Sequence, residues 1–199
     1  MISLRAFGLC PAFLCLGLMA GSVSAGPVWA EDDSVFGQAL ELPAHRALIA
    51  KRDRPGTGLS RFETDGCSGG LSEVWRLVAD QFEGFAKAYE SAPPWESCCV
   101  THDRAYHNGV NALDARASFA ARLKADRILE ACVADMGITR RDELAVVYDI
   151  TPDQVESAYD IIGGAMYWAV RFGGAPCTGL PWRWGFGYPD CSVLSGSSD

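Results

Sequence analysis

The chemistry of this chain is concentrated in Cys-Cys-Val-Thr-His-Asp-Arg-Ala-Tyr-His, residues 98–107. On a helix advancing about 100° per residue, Cys98, Cys99, His102, Asp103 and Tyr106 fall within an arc of roughly 140°, with His107 outside it. A face that carries two thiols, an imidazole, a carboxylate and a phenol is costly to bury unless each polar group is paired. His102 offers a base that titrates near neutrality, and Asp103 offers a hard oxygen ligand at the next position. Adjacent cysteines on one turn can tie two separate segments to the same helix. The plainer reading is a disulfide-anchored helix whose His and Asp hydrogen-bond nearby loops. A zinc set of His102, Asp103 and His107 is another, although these three side chains diverge on a helix.

The elements that must position this face follow from the rest of the chain. Residues 1–30 read as an export signal: Arg5 is the one charge before Glu31, an apolar run extends from about Ala6 to Ala20, and small residues allow cleavage after Ala25 or Ala30. Cys10 and Cys15 would leave with this segment, and no transmembrane helix is expected in the mature chain. Six cysteines then remain in one domain, 31–199, an even number that suits disulfides in an oxidising compartment, secreted or periplasmic. Without Arg5, 16 basic residues face 25 acidic ones, a balance of −9 that disfavours nucleic acid as a partner.

A helical pattern from Phe36 to Lys51 and the turn-rich Arg54-Pro-Gly-Thr-Gly predict a leading helix and a loop, with His45 in a surface or packing role. Thr64-Asp-Gly-Cys-Ser-Gly-Gly, residues 64–70, has the glycines to turn backbone carbonyls toward a cation. Leu71, Trp75, Val78, Phe82, Phe85 and Tyr89 form a helical stripe ended by Pro93-Pro94, read as core packing or as a cover for the site. Asn108-Gly109 breaks the central helix, and a second long helix runs from about Asp114 to Asp135. Thr151-Pro-Asp-Gln opens a third, to about Phe172, apolar over much of its surface as a buried helix would be. The tail holds Trp182, Trp184, Phe186 and Tyr188, side chains that pack a core or suit a bilayer interface.

The central block resembles the catalytic helix of secreted phospholipase A2, in which Cys-Cys-x-x-His-Asp-x-x-Tyr recurs. All five fixed positions stand here within nine residues, as Cys98, Cys99, His102, Asp103 and Tyr106. The resemblance spans about Asp65 to Cys132, as in a divergent bacterial member of that superfamily. It implies a mainly α fold: a disulfide-linked antiparallel helix pair with a calcium-binding loop, a core at about 62–136, and extra N- and C-terminal helices, the C-terminal extension being 137–199. It implies Ca2+ held by the carbonyls of Gly66, Ser68 and Gly70 and the carboxylate of Asp103, with the Ser68 amide as oxyanion donor. Ser68 stands where the family commonly has glycine, and Asp65 adds a carboxylate beside the loop.

By the same resemblance His102 is the general base, Asp126 orients it, Tyr106 bonds Asp126, and Cys98 pairs with Cys132. Cys67–Cys99 and Cys177–Cys191 complete the implied pairing. Helix rise is compatible with it, since an antiparallel pair bridged at Cys98 and Cys132 brings Asp126 near His102 and Tyr106. A further family disulfide would fall at Ala105 and Ala125, so it is absent, and the short link between these helices implies loss of the family's β-wing. The implied activity is calcium-dependent hydrolysis of an acyl ester in phospholipid at a membrane interface. The alternative is a non-catalytic calcium- or lipid-binding protein on the same scaffold.

Overall fold

The computed structural model describes residues 29–67 and 92–191, with side chains from 37 onward. Residues 1–28 of the export signal, the stripe at 71–90, Ser68, Gly70 and residues 192–199 lie outside the described residues. The described chain is mainly helical: α1 (Trp29–Arg52), α2 (Glu96–Asn108), α3 (Ala115–Thr139), α4 (Arg141–Tyr148) and α5 (Pro152–Gly173), with no strand among the described residues.

Local chemistry sets the helix ends. Asp114 caps α3, its carboxylate accepting from the amides of Arg116 and Ala117 at 2.8 and 2.9 Å. Thr151 and Gln154 form a reciprocal capping box at the start of α5, with Pro152 at the first helical position. Helix α2 stops at Gly109 (φ +60°), whose amide donates to Tyr106 O. The left-handed turn continues through Val110 (φ +53°) and Asn111 (φ +51°), so the link from α2 to α3 is a tight reversal. Helix α4 was not foreseen from sequence. It is short, it begins one residue after α3, and it ends on a left-handed Asp149.

Helix α3 touches all four other helices and is the axis of the fold. One apolar cluster gathers Trp95, Leu129, Val133, Leu144, Val155 and Tyr159 around Cys67, Cys98 and Cys99. A second gathers Leu48, Tyr106, Ala125, Cys177 and Trp184. On α2 and α3 the two clusters meet between Cys98 and Tyr106 and between Ala125 and Leu129, the stretches that carry His102 and Asp126. Helix α5 lies close on α3: a Cβ at Gly163 would stand 2.8 Å from Glu130 O. Its outer face is not buried as expected, because Ile161, Trp168 and Phe172 are exposed.

The tail caps α2. The amides of Gly185 and Gly187 donate to the carbonyls of Tyr106 and His107 at 2.6 and 2.9 Å, satisfying acceptors that a helix end leaves open. Trp184 is fully buried and Trp182 is 38% exposed, so core packing accounts for the first and leaves the second at the surface.

Candidate active site

Two disulfides tie the elements of the site together. Cys98–Cys132 joins α2 to α3, and Cys67–Cys99 joins the preceding loop to the same turn of α2. Cys177–Cys191 closes the tail, so all three implied pairings are present. Because α2 begins at the bridge and α3 ends near it, the helices run antiparallel, and one turn beyond Cys98 the imidazole of His102 meets Asp126. His102 Nε2 lies 2.9 Å from Asp126 Oδ1, and the Tyr106 hydroxyl donates to the same oxygen at 2.7 Å. Spacings of four, three and four place Arg122, Asp126, Leu129 and Val133 on one buried face of α3.

All three groups are withdrawn from water. Burial alone would raise the Asp126 carboxyl, but His102, Arg122, Tyr106 and Arg171 outweigh it and hold Asp126 below the usual carboxylate range. Burial alone would depress His102, yet the carboxylates of Asp103 and Asp126 turn the balance and raise it. Burial drives Tyr106 well above its ordinary value, so the phenol stays protonated and donates. With Asp126 ionised and accepting at Nε2, the neutral imidazole carries its proton there and presents Nδ1 as the acceptor. Nδ1 lies on the side of Asp103, 4.0 Å from Oδ1.

Asp103 is buried at the mouth of the loop, and the Thr64 hydroxyl donates to its Oδ2 at 2.6 Å. Gly66 adopts φ +85°, and its amide donates to Thr64 Oγ1 at 3.1 Å. Cys67 then anchors this turn to Cys99 on α2. The groups gathered beside Asp103 are a carboxylate, a hydroxyl and a loop in a conformation that glycine favours. This is oxygen-donor chemistry and fits a hard cation such as calcium better than a thiolate- or imidazole-seeking metal. Among the described residues no cluster of three His, Cys, Asp or Glu side chains could hold a metal, so ligation here would draw on backbone oxygens. His107 packs away from His102 and Asp103, against the rings of Phe62 and Phe186, with Nε2 3.5 Å from Ser60 Oγ. The zinc set is therefore not assembled.

A cavity of about 300 Å3 opens between α2 and α3, lined by His102, Ala105, Ala121, Ala125, Ile128 and Leu129 among others. Ala105 and Ala125, the two positions without the further family disulfide, both face it. The site thus sets a carboxylate and an apolar chamber against the same imidazole.

Sequence reasoning did not find the groups behind Asp126. Arg171 Nη1 donates to Asp126 Oδ2 at 2.9 Å, and Arg122 Nε donates to the Tyr106 hydroxyl at 3.1 Å. Glu41 accepts from both arginines. His45 is fully buried and lies 2.8 Å from Ser118 Oγ, which also accepts from Trp184 Nε1 at 2.9 Å. One signal was available: Arg122 sits one turn before Asp126 on a face otherwise apolar, where an arginine must have a partner.

No known protein family, curated protein or solved structure matches this chain.

Proposed function

We propose that the protein is an exported, calcium-dependent hydrolase of phospholipid acyl esters, of phospholipase A2 type. The observation that carries this reading is the buried His102–Asp126–Tyr106 arrangement, in which one imidazole nitrogen is held by a carboxylate and the other is left in position to accept a proton. The apolar cavity beside His102 suits an acyl chain, and Asp103 with the loop at 64–70 suits a cation next to the reacting carbonyl.

In this reading neutral His102 takes a proton at Nδ1 from water as the water oxygen bonds to the ester carbonyl carbon. Asp126 stabilises the imidazolium that forms, and Tyr106 keeps the Asp126 oxygen aimed at Nε2. The proton then passes from Nδ1 to the departing alkoxide as the acyl–oxygen bond breaks. The carbonyls of Gly66, Ser68 and Gly70 and the Asp103 carboxylate would hold the calcium ion, whose contribution when bound is to polarise the ester carbonyl and offset the charge developing on its oxygen. The Ser68 amide would donate to that oxygen.

The test is hydrolysis of a mixed-acyl phosphatidylcholine by the mature, disulfide-intact protein, with calcium or with chelator, identifying the fatty acid released. Calcium-dependent release of the sn-2 chain, abolished by His102→Gln with calcium binding kept and by Asp103→Lys with calcium binding lost, is expected. Undiminished hydrolysis by His102→Gln would overturn the assignment. Calcium binding without hydrolysis would leave the binding-protein reading.

A further inference from the structure

Behind the His102–Asp126 pair lies a largely buried polar assembly that the proposed mechanism does not use. It draws one residue from α1, one from α3 and one from α5: Glu41, Arg122 and Arg171. We propose that Arg171 and Glu41 are positioning residues of the site, fixing the plane of the Asp126 carboxylate so that His102 is held as its Nε2–H tautomer. This rests on the reading of His102 as a general base.

The geometry is as follows. His102 and Tyr106 both engage Oδ1 of Asp126, which leaves Oδ2 to be held by another group. Arg171 holds it by donating from Nη1 to Oδ2 at 2.9 Å. Its own fork is fixed at the other prong, where Nη2 donates to Glu41 Oε1 at 2.5 Å. Glu41 Oε2 accepts from Arg122 Nη1, so one carboxylate spans both guanidinium groups. Arg122 closes the ring in two ways. Its Nη2 donates to the carbonyls of Val170 and Arg171 at 2.7 and 2.8 Å, holding the backbone from which Arg171 projects, and its Nε donates to the Tyr106 hydroxyl.

Charge supports the same assignment. Two carboxylates and two guanidinium groups share this space, so the set is neutral and each member is paired, which is the condition for burying charge. Packing alone does not call for such an assembly, since apolar side chains of like volume often stabilise a buried contact as well or better. Planar bidentate arginines are instead the groups that impose orientation on a carboxylate. Outside the catalytic helix, then, α1 and α5 contribute directly to the alignment of the base.

The experiment uses the mature protein with its disulfides intact. Long-range 1H–15N spectra of the His102 ring, recorded with chelator at a pH where the ring is neutral, read the tautomer without substrate or metal; kcat and KM are measured in parallel. Two variants are compared with wild type. Arg171→Lys keeps a charge but loses the planar fork whose two prongs hold Asp126 and Glu41. The double variant Arg171→Met with Glu41→Gln keeps the remaining Arg122 and Asp126 charges balanced. Near-UV circular dichroism identifies the folded variants. The expectation is a single Nε2–H tautomer in wild type, a mixed tautomer in both variants, and a fall in kcat on the order of 10²-fold with KM little changed.

A folded variant that keeps the Nε2–H tautomer and wild-type kcat would overturn the proposal. So would an Nδ1–H tautomer in wild type, which needs no variant. If wild type proves inactive on every ester, the mechanism fails but the tautomer shift still decides whether Arg171 positions the pair.

Discussion

His45 has no part in the proposed chemistry, yet it reports on the assembly that does. It is fully buried, with Glu41 on its own helix, Arg122 from α3 and Arg171 from α5 as its charged neighbours, and the edge of Phe119 against its ring. Burial depresses its pKa, Glu41 opposes, and the two arginines reinforce the depression, so the native value lies below the ordinary 6.5. Below pH 6.5 the unfolded chain then binds more protons than the native one, and stability falls with pH until the depressed native value is reached. His45→Asn keeps an acceptor for Ser118 and removes the titration. Urea unfolding at pH 7.5 and pH 5 should therefore show a wild-type advantage that shrinks on acidification, by about 1.4 kcal/mol per unit of pKa depression reached. An advantage unchanged over that range would mean that His45 does not titrate below its free value. Sequence gave no sign of this role, because the pairs involved are remote: Arg171 lies 130 residues from Glu41 and Arg122 lies 81 from it. His102, Asp103 and Tyr106 were legible because all three sit on two turns of one helix, and Asp126 was singled out only by the resemblance, through its interval to Cys132.

At the scale of elements, the placement of Arg171 depends on how closely α5 can lie on α3. Gly163 and Gly164 are neighbours in α5 with opposite surroundings. A Cβ at Gly163 would stand 2.8 Å from Glu130 O, a backbone atom of α3 that cannot turn aside, whereas one at Gly164 meets nothing within 4 Å. Gly163→Ala must push the helices apart and should cost about 1–3 kcal/mol, while Gly164→Ala should gain up to about 1 kcal/mol from helix propensity. Thermal unfolding of the two variants tests this, and equal effects would show that the contact is looser than described. The Thr151 cap and the Gly173-Gly174 stop made α5 readable from sequence. Which glycine faces α3 was not readable, since helix periodicity does not say which stripe meets a neighbour. The apolar residues at 161, 168 and 172 suggested burial all round, and they are exposed.

For the whole molecule, the two ends of α2 are held by different parts of the chain. The Cys98 and Cys99 bridges fix its beginning. Its last carbonyls are held instead by the tail, through the amides of Gly185 and Gly187, and Trp184 carries that tail against Ser118 and the edge of the Tyr106 ring. Fit is close here, because a Cβ at Gly187 would stand 2.5 Å from His107 Nε2. Cys177–Cys191 closes this segment over a separation of 14 residues, a loop whose closure entropy corresponds to about 3 kcal/mol. Replacing both cysteines by serine should therefore lower Tm by about 6–12 °C. Because the tail meets α2 at Tyr106 and His107 and the other two bridges at its start are untouched, the loss should be uneven. Hydrogen exchange should quicken at the amides of Gly185 and Gly187 while those of α2 around His102 keep their protection. Uniform loss of protection would instead make the tail part of one cooperative unit with the candidate site, and the tail disulfide would then govern the stability of α2 along its whole length.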